Sequence, residues 1–317
     1  MRCLYNEKFS MNGGALVNSK RSLLSNINHY RNSYLFIAPF TLVFVTFTAV
    51  PVVIALFLSL TQFNVLQMPK LIGLENFRRL LFEDDIFLIA IKNTIVFAVI
   101  TGPISYFLCL FIAWFVNELP PKTRTIMTLL FYTPALASGV ATSIWALIFS
   151  GDSYGLLNSQ LMSLGIIHTP IQWLVDSSRI TFVVVVVVLW SSLGAGFLSF
   201  IAGFQTIDKT LYEAGAVDGL KNRYQELWFI TLPSMKGQLM FSAIISITSS
   251  FGIGAIVTAL CGFPSSNYAA HTIMNHLDDY GSIRFEMGYA CAIASILFIV
   301  MVGVNKLAQN LIAKVGV

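Results

Sequence analysis

The chain has 317 residues, of which 56% are hydrophobic and only 11% are charged. Since soluble domains usually carry about 25% charged residues, this composition excludes a soluble globular protein and indicates a membrane protein. The net charge of +4 is modest and the basic residues are dispersed, which argues against a nucleic-acid-binding protein. The four cysteines are widely separated and form no CxxC pair, so they indicate neither a disulfide framework nor a metal site.

Six apolar blocks are long enough to cross a ~30 Å hydrocarbon layer, which needs about 20 residues each. The sequence therefore predicts an all-α polytopic protein with a polar, basic segment at 1–32 and a transmembrane domain at 33–317. The predicted spans are 35–60, 94–116, 125–149, 180–203, 239–260 and 289–311. Two amphipathic helices are predicted at the membrane surface, one near 23–30 and one at GLENFRRLLFEDD, between the first two spans.

The distribution of basic residues predicts the orientation in the membrane. Cytoplasmic segments of membrane proteins retain an excess of Lys and Arg. If the N-terminus is cytoplasmic, the cytoplasmic segments hold 13 of the 19 Lys and Arg residues. We therefore expect both termini, and the loop at 204–237, to be cytoplasmic.

That loop contains the charged stretch LYEAGAVDGLKNRYQELWFITLP, residues 211–233. Its pattern predicts a short helix, a break at Gly219, a second short helix over 222–230, and a new element starting at Pro233. Small residues at Ala214, Gly215 and Ala216 would let another protein approach the backbone closely. From the residues alone, a docking element and an ordinary amphipathic connector both remain open.

The same stretch resembles the EAA motif of permease subunits of binding-protein-dependent ATP-binding-cassette (ABC) importers. That motif is Glu-Ala-Ala, three residues, Gly, a spacer and Ile-x-Leu-Pro. The matching residues are Glu213, Ala214, Gly219, Ile230, Leu232 and Pro233. Gly215 replaces the second alanine, and the spacer is one residue longer than usual. From Tyr34 onward, GLENFRRLL, NTIVFAV and FYTPALASGVATSIWALIF resemble the sugar branch, which includes the MalF maltose and glycerol-phosphate permeases.

The resemblance implies about six transmembrane helices in the MalF-like (type I) ABC importer permease fold, in a bacterial or archaeal plasma membrane. It implies partners: two ATPase subunits, a second permease subunit and an extracellular or periplasmic solute-binding protein. The loop would form the coupling helix, with Glu213 anchored to the ATPase and Gly219 permitting the bend. The implied coupling residues are Glu213, Ala214, Gly215, Asp218, Gly219, Arg223, Ile230, Leu232 and Pro233. Since the chain has no GxxxxGK[ST] loop, we expect it to bind no cofactor and perform no catalysis, with ATP held by the partner subunits.

Polar and aromatic side chains within the spans are candidates for the substrate path, since unpaired polar groups in lipid are costly. Neutral sugars are gripped by aromatic faces and by hydroxyl or amide groups. The candidates are Trp190, Ser191, Tyr132, Ser246, Ser249 and Ser250. For each serine, the alternative is a packing role with an interhelical hydrogen bond.

The predicted function is uptake of a sugar or oligosaccharide, with glycerol phosphate, a polyamine or another solute as alternatives. A secondary transporter is the rival from a different class, but the spans hold no deeply placed ionisable residue for an ion relay. The outer loops at 151–176 and 261–287 are expected to touch the binding protein. His271, His276, Asp278 and Asp279 in the second of these loops fit no usual metal constellation, so we interpret them as a solvated loop.

Overall fold

The structure is a computed structural model that describes residues 31–312. The interfacial helix expected near 23–30, and nearly all of the 1–32 segment, lie outside the described residues. The described chain is helical apart from one small antiparallel hairpin, in which β1 (Thr61–Gln62) pairs with β2 (Lys70–Leu71). It divides at Ile54/Ala55 into two units.

The described part contains 16 α-helices and four shorter helical turns. The helices are α1 (Arg31–Phe44), α2 (Val50–Leu58), α3 (Glu75–Phe82), α4 (Asp85–Asn117), α5 (Pro121–Leu136), α6 (Ser138–Ile148), α7 (Leu156–Ser163), α8 (Ile180–Ser191), α9 (Ala195–Thr206), α10 (Lys209–Val217), α11 (Arg223–Glu226), α12 (Leu232–Ser234), α13 (Lys236–Phe251), α14 (Gly254–Cys261), α15 (Ile273–Asp278) and α16 (Met287–Ile312). The turns are π-helical at Val45–Ala49, Leu227–Thr231 and Asp279–Ile283, and 3₁₀ at Ser266–Tyr268.

Four helical stretches in the described residues are long and apolar enough to cross a membrane. They are Tyr34–Leu58, Asp85–Asn117, Ile180–Thr206 and Met287–Ile312. These four correspond to the predicted first, second, fourth and sixth spans, and α3 corresponds to the predicted surface helix. The all-α polytopic fold class is therefore confirmed.

The third and fifth predicted spans are not single straight helices. α5 and α6 meet at a bend of 84°, and α13 and α14 at a bend of 41°. Counting each bent pair as one span gives up to six spans. The breaks have local causes, because kinks form at proline and at glycine. Pro134 and Gly139 flank the first break, and Gly252 lies in the second.

Three hydrophobic clusters hold the second unit together. The first joins α4, α9 and α13 around Phe197, Phe200 and Met235. The second lies around Val183 and Val187 of α8, and the third joins α4 to α16. The first cluster is the one that contacts the charged stretch, since Leu232 is part of it.

A buried polar network ties together the ends of α4, α15 and α16 at the expected outer face. The Nε2 atom of His276 lies 3.0 Å from Oδ2 of Asp84, and the Tyr289 hydroxyl donates to the same oxygen at 2.8 Å. The Nε2 atom of His271 lies 3.4 Å from Nδ1 of His276. His271 and His276 are only 2% and 1% exposed, so the solvated-loop interpretation is wrong for both. Asp278 and Asp279 are half-buried.

Charge in this network is set by burial and by hydrogen bonds. Burial lowers the pKa of the His271 imidazole to about 4, and the neighbouring His276 lowers it further. Burial opposes ionisation of Asp84, but hydrogen bonds from His276, the Phe87 amide and Tyr289 hold the pKa of its carboxyl well below the ordinary value. The network thus holds an ionised Asp84 beside an uncharged His271.

Candidate functional site

The charged stretch lies in the segment that joins α9 to α13, residues 207–235, here called the linking segment. Its first helix, α10, begins at a side-chain cap, because the Asp208 carboxylate accepts a hydrogen bond from the Thr210 amide at 3.0 Å. α10 ends in a left-handed turn at Gly219, whose φ is +95°. The Leu220 amide donates to the Gly215 carbonyl at 3.0 Å, and the Gly219 amide to the Ala216 carbonyl at 3.3 Å. These two bonds make a Schellman motif, so the bend predicted at Gly219 is present.

Gly215 lies where the two halves of the linking segment touch. A β-carbon there would come within 2.7 Å of Cδ1 of Ile230 and 2.8 Å of Cδ1 of Leu220. The Tyr212 hydroxyl lies 2.9 Å from Oγ1 of Thr231, which is 4% exposed. α10 therefore packs directly on the turn that follows α11, and a larger residue at 215 would displace the ends of the Ile230 and Leu220 side chains.

The second half of the linking segment begins at α11, capped by the Asn222 side chain, which accepts from the Gln225 amide at 2.9 Å. The helix then widens into the π-helical turn Leu227–Thr231 before α12. Pro233 lies within α12 and does not start a new element, because α13 begins only at Lys236. Leu232 is 8% exposed in the first hydrophobic cluster, which anchors this half to the bundle.

The linking segment also contacts the end of the second span. Arg223 lies 3.0 Å from the Glu226 carboxylate and 3.4 Å from that of Glu118, just after α4. These pairs are solvent-exposed and are each worth about 0–1 kcal/mol. The Tyr224 ring packs edge-on against Trp114 of α4, with centroids 5.6 Å apart. The α4 contacts could not be found from the sequence, since Glu118 and Arg223 are far apart in the chain.

Five of the nine predicted coupling residues are exposed and four are buried or half-buried. Glu213, Ala214, Asp218 and Arg223 are exposed, whereas Gly215, Ile230, Leu232 and Pro233 are buried or half-buried; Gly219 is exposed at the bend. A cleft of about 600 Å³ lies beside the exposed set, and its lining includes Trp114, Arg124, Gln205, Tyr212, Glu213 and Glu226. Tyr212 and Thr231, whose hydroxyls join the two halves, were not among the predicted site residues, although each adjoins a motif residue.

Trp190, one of the predicted path residues, is 40% exposed. Its ring meets that of Trp145 edge-on with centroids 5.4 Å apart, and Trp145 stacks on Phe149 at 5.7 Å. The half-buried Tyr132 lies elsewhere, beside Gln205 in a cavity of about 380 Å³.

The predicted serines have different surroundings. The Ser191 hydroxyl donates to the Val187 carbonyl at 2.9 Å. The Ser250 hydroxyl donates to the Ser246 carbonyl at 2.7 Å. Ser246 and Ser250 line an almost wholly apolar groove of about 560 Å³ between α4, α13 and α16, and Ser249 is exposed. Ser191 and Ser250 thus already satisfy their hydroxyls within their own helices, as the packing alternative expects.

The described residues thus form a helical bundle of four to six candidate spans, with a capped helix, a glycine bend and a second helix before the fifth span. No family model matches the chain. It is 31% identical over 273 residues to the probable ABC transporter permease protein YesP of Bacillus subtilis (strain 168), covering 84% of this chain and 86% of the relative. It is also 31% identical over 279 residues to the arabinooligosaccharides transport system permease protein AraP of the same organism, covering 88% and 87%. The chain belongs to the ABC transporter permease family.

Other relatives and solved structures agree with this assignment. The lactose transport system permease protein LacF of Rhizobium radiobacter is 28% identical over 288 residues, covering 89% of this chain and 94% of that one. The crystal structure of a bacterial ABC transporter involved in the import of the acidic polysaccharide alginate includes a chain that matches with a TM-score of 0.72 at 21% identity. That match covers 92% of this chain and 99% of the other. The fold is therefore that of an ABC importer permease, as the resemblance implied.

Proposed function

We propose that this chain is the permease subunit of an ABC importer and forms half of the translocation path for a sugar or oligosaccharide. The observation that carries the proposal is the linking segment, in which Glu213 and Asp218 are exposed around the Gly219 turn and Glu213 lines a cleft. The printed names of relatives support the substrate class, since AraP and LacF are permeases for arabinooligosaccharides and lactose. UgpA of Agrobacterium fabrum, 26% identical, is a permease for sn-glycerol-3-phosphate, which keeps that solute as the alternative.

The linking segment would serve as the coupling element for one of two ATPase subunits. Exposed Glu213, Ala214, Asp218 and Arg223 would meet the ATPase, while Gly215, Gly219, Ile230, Leu232 and Pro233 would hold the element in shape. ATP would be bound and hydrolysed by those partners, since this chain has no P-loop motif. The chain itself would perform no catalysis.

Transport would proceed by alternating access, with a second permease subunit completing the path and a solute-binding protein delivering the sugar. Of the path candidates, Trp190 has the surroundings best suited to a sugar ring, because its side chain is 40% exposed and its ring packs against that of Trp145. The basic-residue distribution supports a plasma-membrane orientation with both termini and the 204–237 loop in the cytoplasm.

The proposal is tested by purifying the tagged chain from its native membrane in mild detergent and identifying all retained proteins by mass spectrometry. We expect a P-loop ATPase and a second six-span subunit. The same complex in vesicles, with ATP inside the ATPase-facing compartment, should take up labelled oligosaccharide delivered by its binding protein. A chain that purifies alone, and whose uptake survives ATP depletion but stops with an uncoupler, would support a secondary transporter instead.

A further inference from the structure

The π-helical turn Leu227–Thr231 presents two large aromatic side chains to the outside. Trp228 is 64% exposed and Phe229 is 65% exposed. The three other side chains of the turn are held by the protein. Leu227 packs against the first hydrophobic cluster, Ile230 lies over Gly215, and Thr231 is 4% exposed.

The helix geometry explains why two adjacent side chains point outward. An α-helix turns 100° per residue, so two adjacent side chains can share one outward face. The π turn inserts an extra residue, and such insertions often mark functional sites. Here the insertion keeps Leu227 and Thr231 against the bundle while Trp228 and Phe229 lie outside.

Neither ring has a partner in the part of the chain that the structure describes. Neither packs against another aromatic ring there, and the Trp228 indole N–H has no acceptor among those residues. Burying one such side chain is worth roughly 1.5–3 kcal/mol, so two adjacent exposed rings would be costly in water. Trp228 is also the most exposed tryptophan of the described chain, ahead of Trp190 at 40%.

The position of the pair identifies what covers it. Phe229 lies seven positions before Lys236, where α13, the first helix of the fifth span, begins. Tryptophan is enriched near the ends of membrane spans, because its ring is apolar and its N–H can donate to lipid headgroups. Interfacial helices are held in the same way by Trp and Phe on one face.

We propose that Trp228 and Phe229 insert into the headgroup region of the bilayer and anchor the linking segment to the membrane surface. The occupant of this surface is lipid, and the Trp228 N–H donates to a headgroup phosphate or ester oxygen. This requires only that the chain spans a membrane, so it stands apart from the proposed sugar import. In consequence the ATPase would reach the linking segment through α10 and its bend, and the aromatic pair would stay in lipid.

The test uses the full chain in vesicles of phosphatidylethanolamine and phosphatidylglycerol, with a fraction of the lipid brominated either near the headgroup or near the chain end. Bromine quenches tryptophan fluorescence on contact, so the wild type is compared with Trp228→Phe. We expect the fluorescence of the wild type to contain a component that is quenched most by bromine near the headgroup. That component should be absent from Trp228→Phe. Placing Phe229→Trp in the Trp228→Phe background should restore that component.

Two results would overturn the proposal. The first is that bromine near the headgroup quenches tryptophan fluorescence equally in the wild type and in Trp228→Phe, while acrylamide in the water quenches the fluorescence of Trp228. The second is loss of the lipid-quenched component when the chain is assembled with its ATPase, which would show that a protein covers the pair. Because both variants exchange one aromatic ring for another, size-exclusion profiles matching the wild type serve as the folding control.

Discussion

Replacing Gly219 with alanine tests whether the left-handed turn of the linking segment is required. At φ = +95° a residue with a β-carbon is strained, whereas the space around Gly219 is open, so the whole effect comes from the backbone. A left-handed conformation costs an L-residue roughly 1–2 kcal/mol. That free energy lowers the population of the native bend, relative to other conformations, by roughly 5- to 30-fold. We expect ATP-driven uptake by the assembled transporter to fall by up to that factor.

Gly237→Ala is the matched control. Gly237 lies in α13, also with open space around it and without a positive φ. Alanine there should stabilise the helix by roughly 0.5–1 kcal/mol. Uptake is measured per assembled complex, with ATPase retention quantified in parallel. If Gly219→Ala transports like Gly237→Ala at equal assembly, the reasoning that the bend must be left-handed is refuted.

Three further predictions follow from other contacts. Tyr212→Phe and Thr231→Val should each lower the free energy of unfolding by about 1 kcal/mol, and the double variant by little more than either alone, measured by denaturant unfolding. Burial lowers the pKa of His271 to about 4, against an ordinary 6.5, so the folded protein holds this imidazole uncharged. Stability should therefore fall progressively as the pH drops from about 6.5 to about 4. The melting temperature of His271→Asn should fall less over that pH range than that of the wild type. Trp190→Ala should weaken uptake and leave ATPase co-purification intact, and loss of the whole assembly would make Trp190 a packing residue.

The spans were predictable because a ~30 Å apolar layer imposes a local requirement that each segment meets by itself. The bends were not, because the signals that cause them are ambiguous. Pro39 and Pro103 lie inside continuous helices, whereas Pro134 precedes a sharp break. In a bundle, neighbouring helices decide whether a proline is accommodated or ends the helix.

The outer network shows a second limit of sequence reasoning. His276 lies 192 positions from Asp84, and its surroundings in the sequence are polar, so its burial has no local signal. Only the fold brings Asp84, His276 and Tyr289 together. The linking segment is the opposite case, because its cap at Asp208, bend at Gly219 and cap at Asn222 all act within a few residues.

The contacts at the two ends of α4 suggest how movement of the linking segment would cross the membrane. At one end α4 meets the linking segment through Trp114 and Tyr224, and just beyond it Glu118 meets Arg223. At the other end, the Asp84 cap is held by the network that includes α15 and α16. We propose that a displacement of the linking segment is passed along this one helix of 33 residues to the network at its other end. The exposed ion pair contributes little to that coupling, so we expect the Trp114–Tyr224 contact to carry most of it.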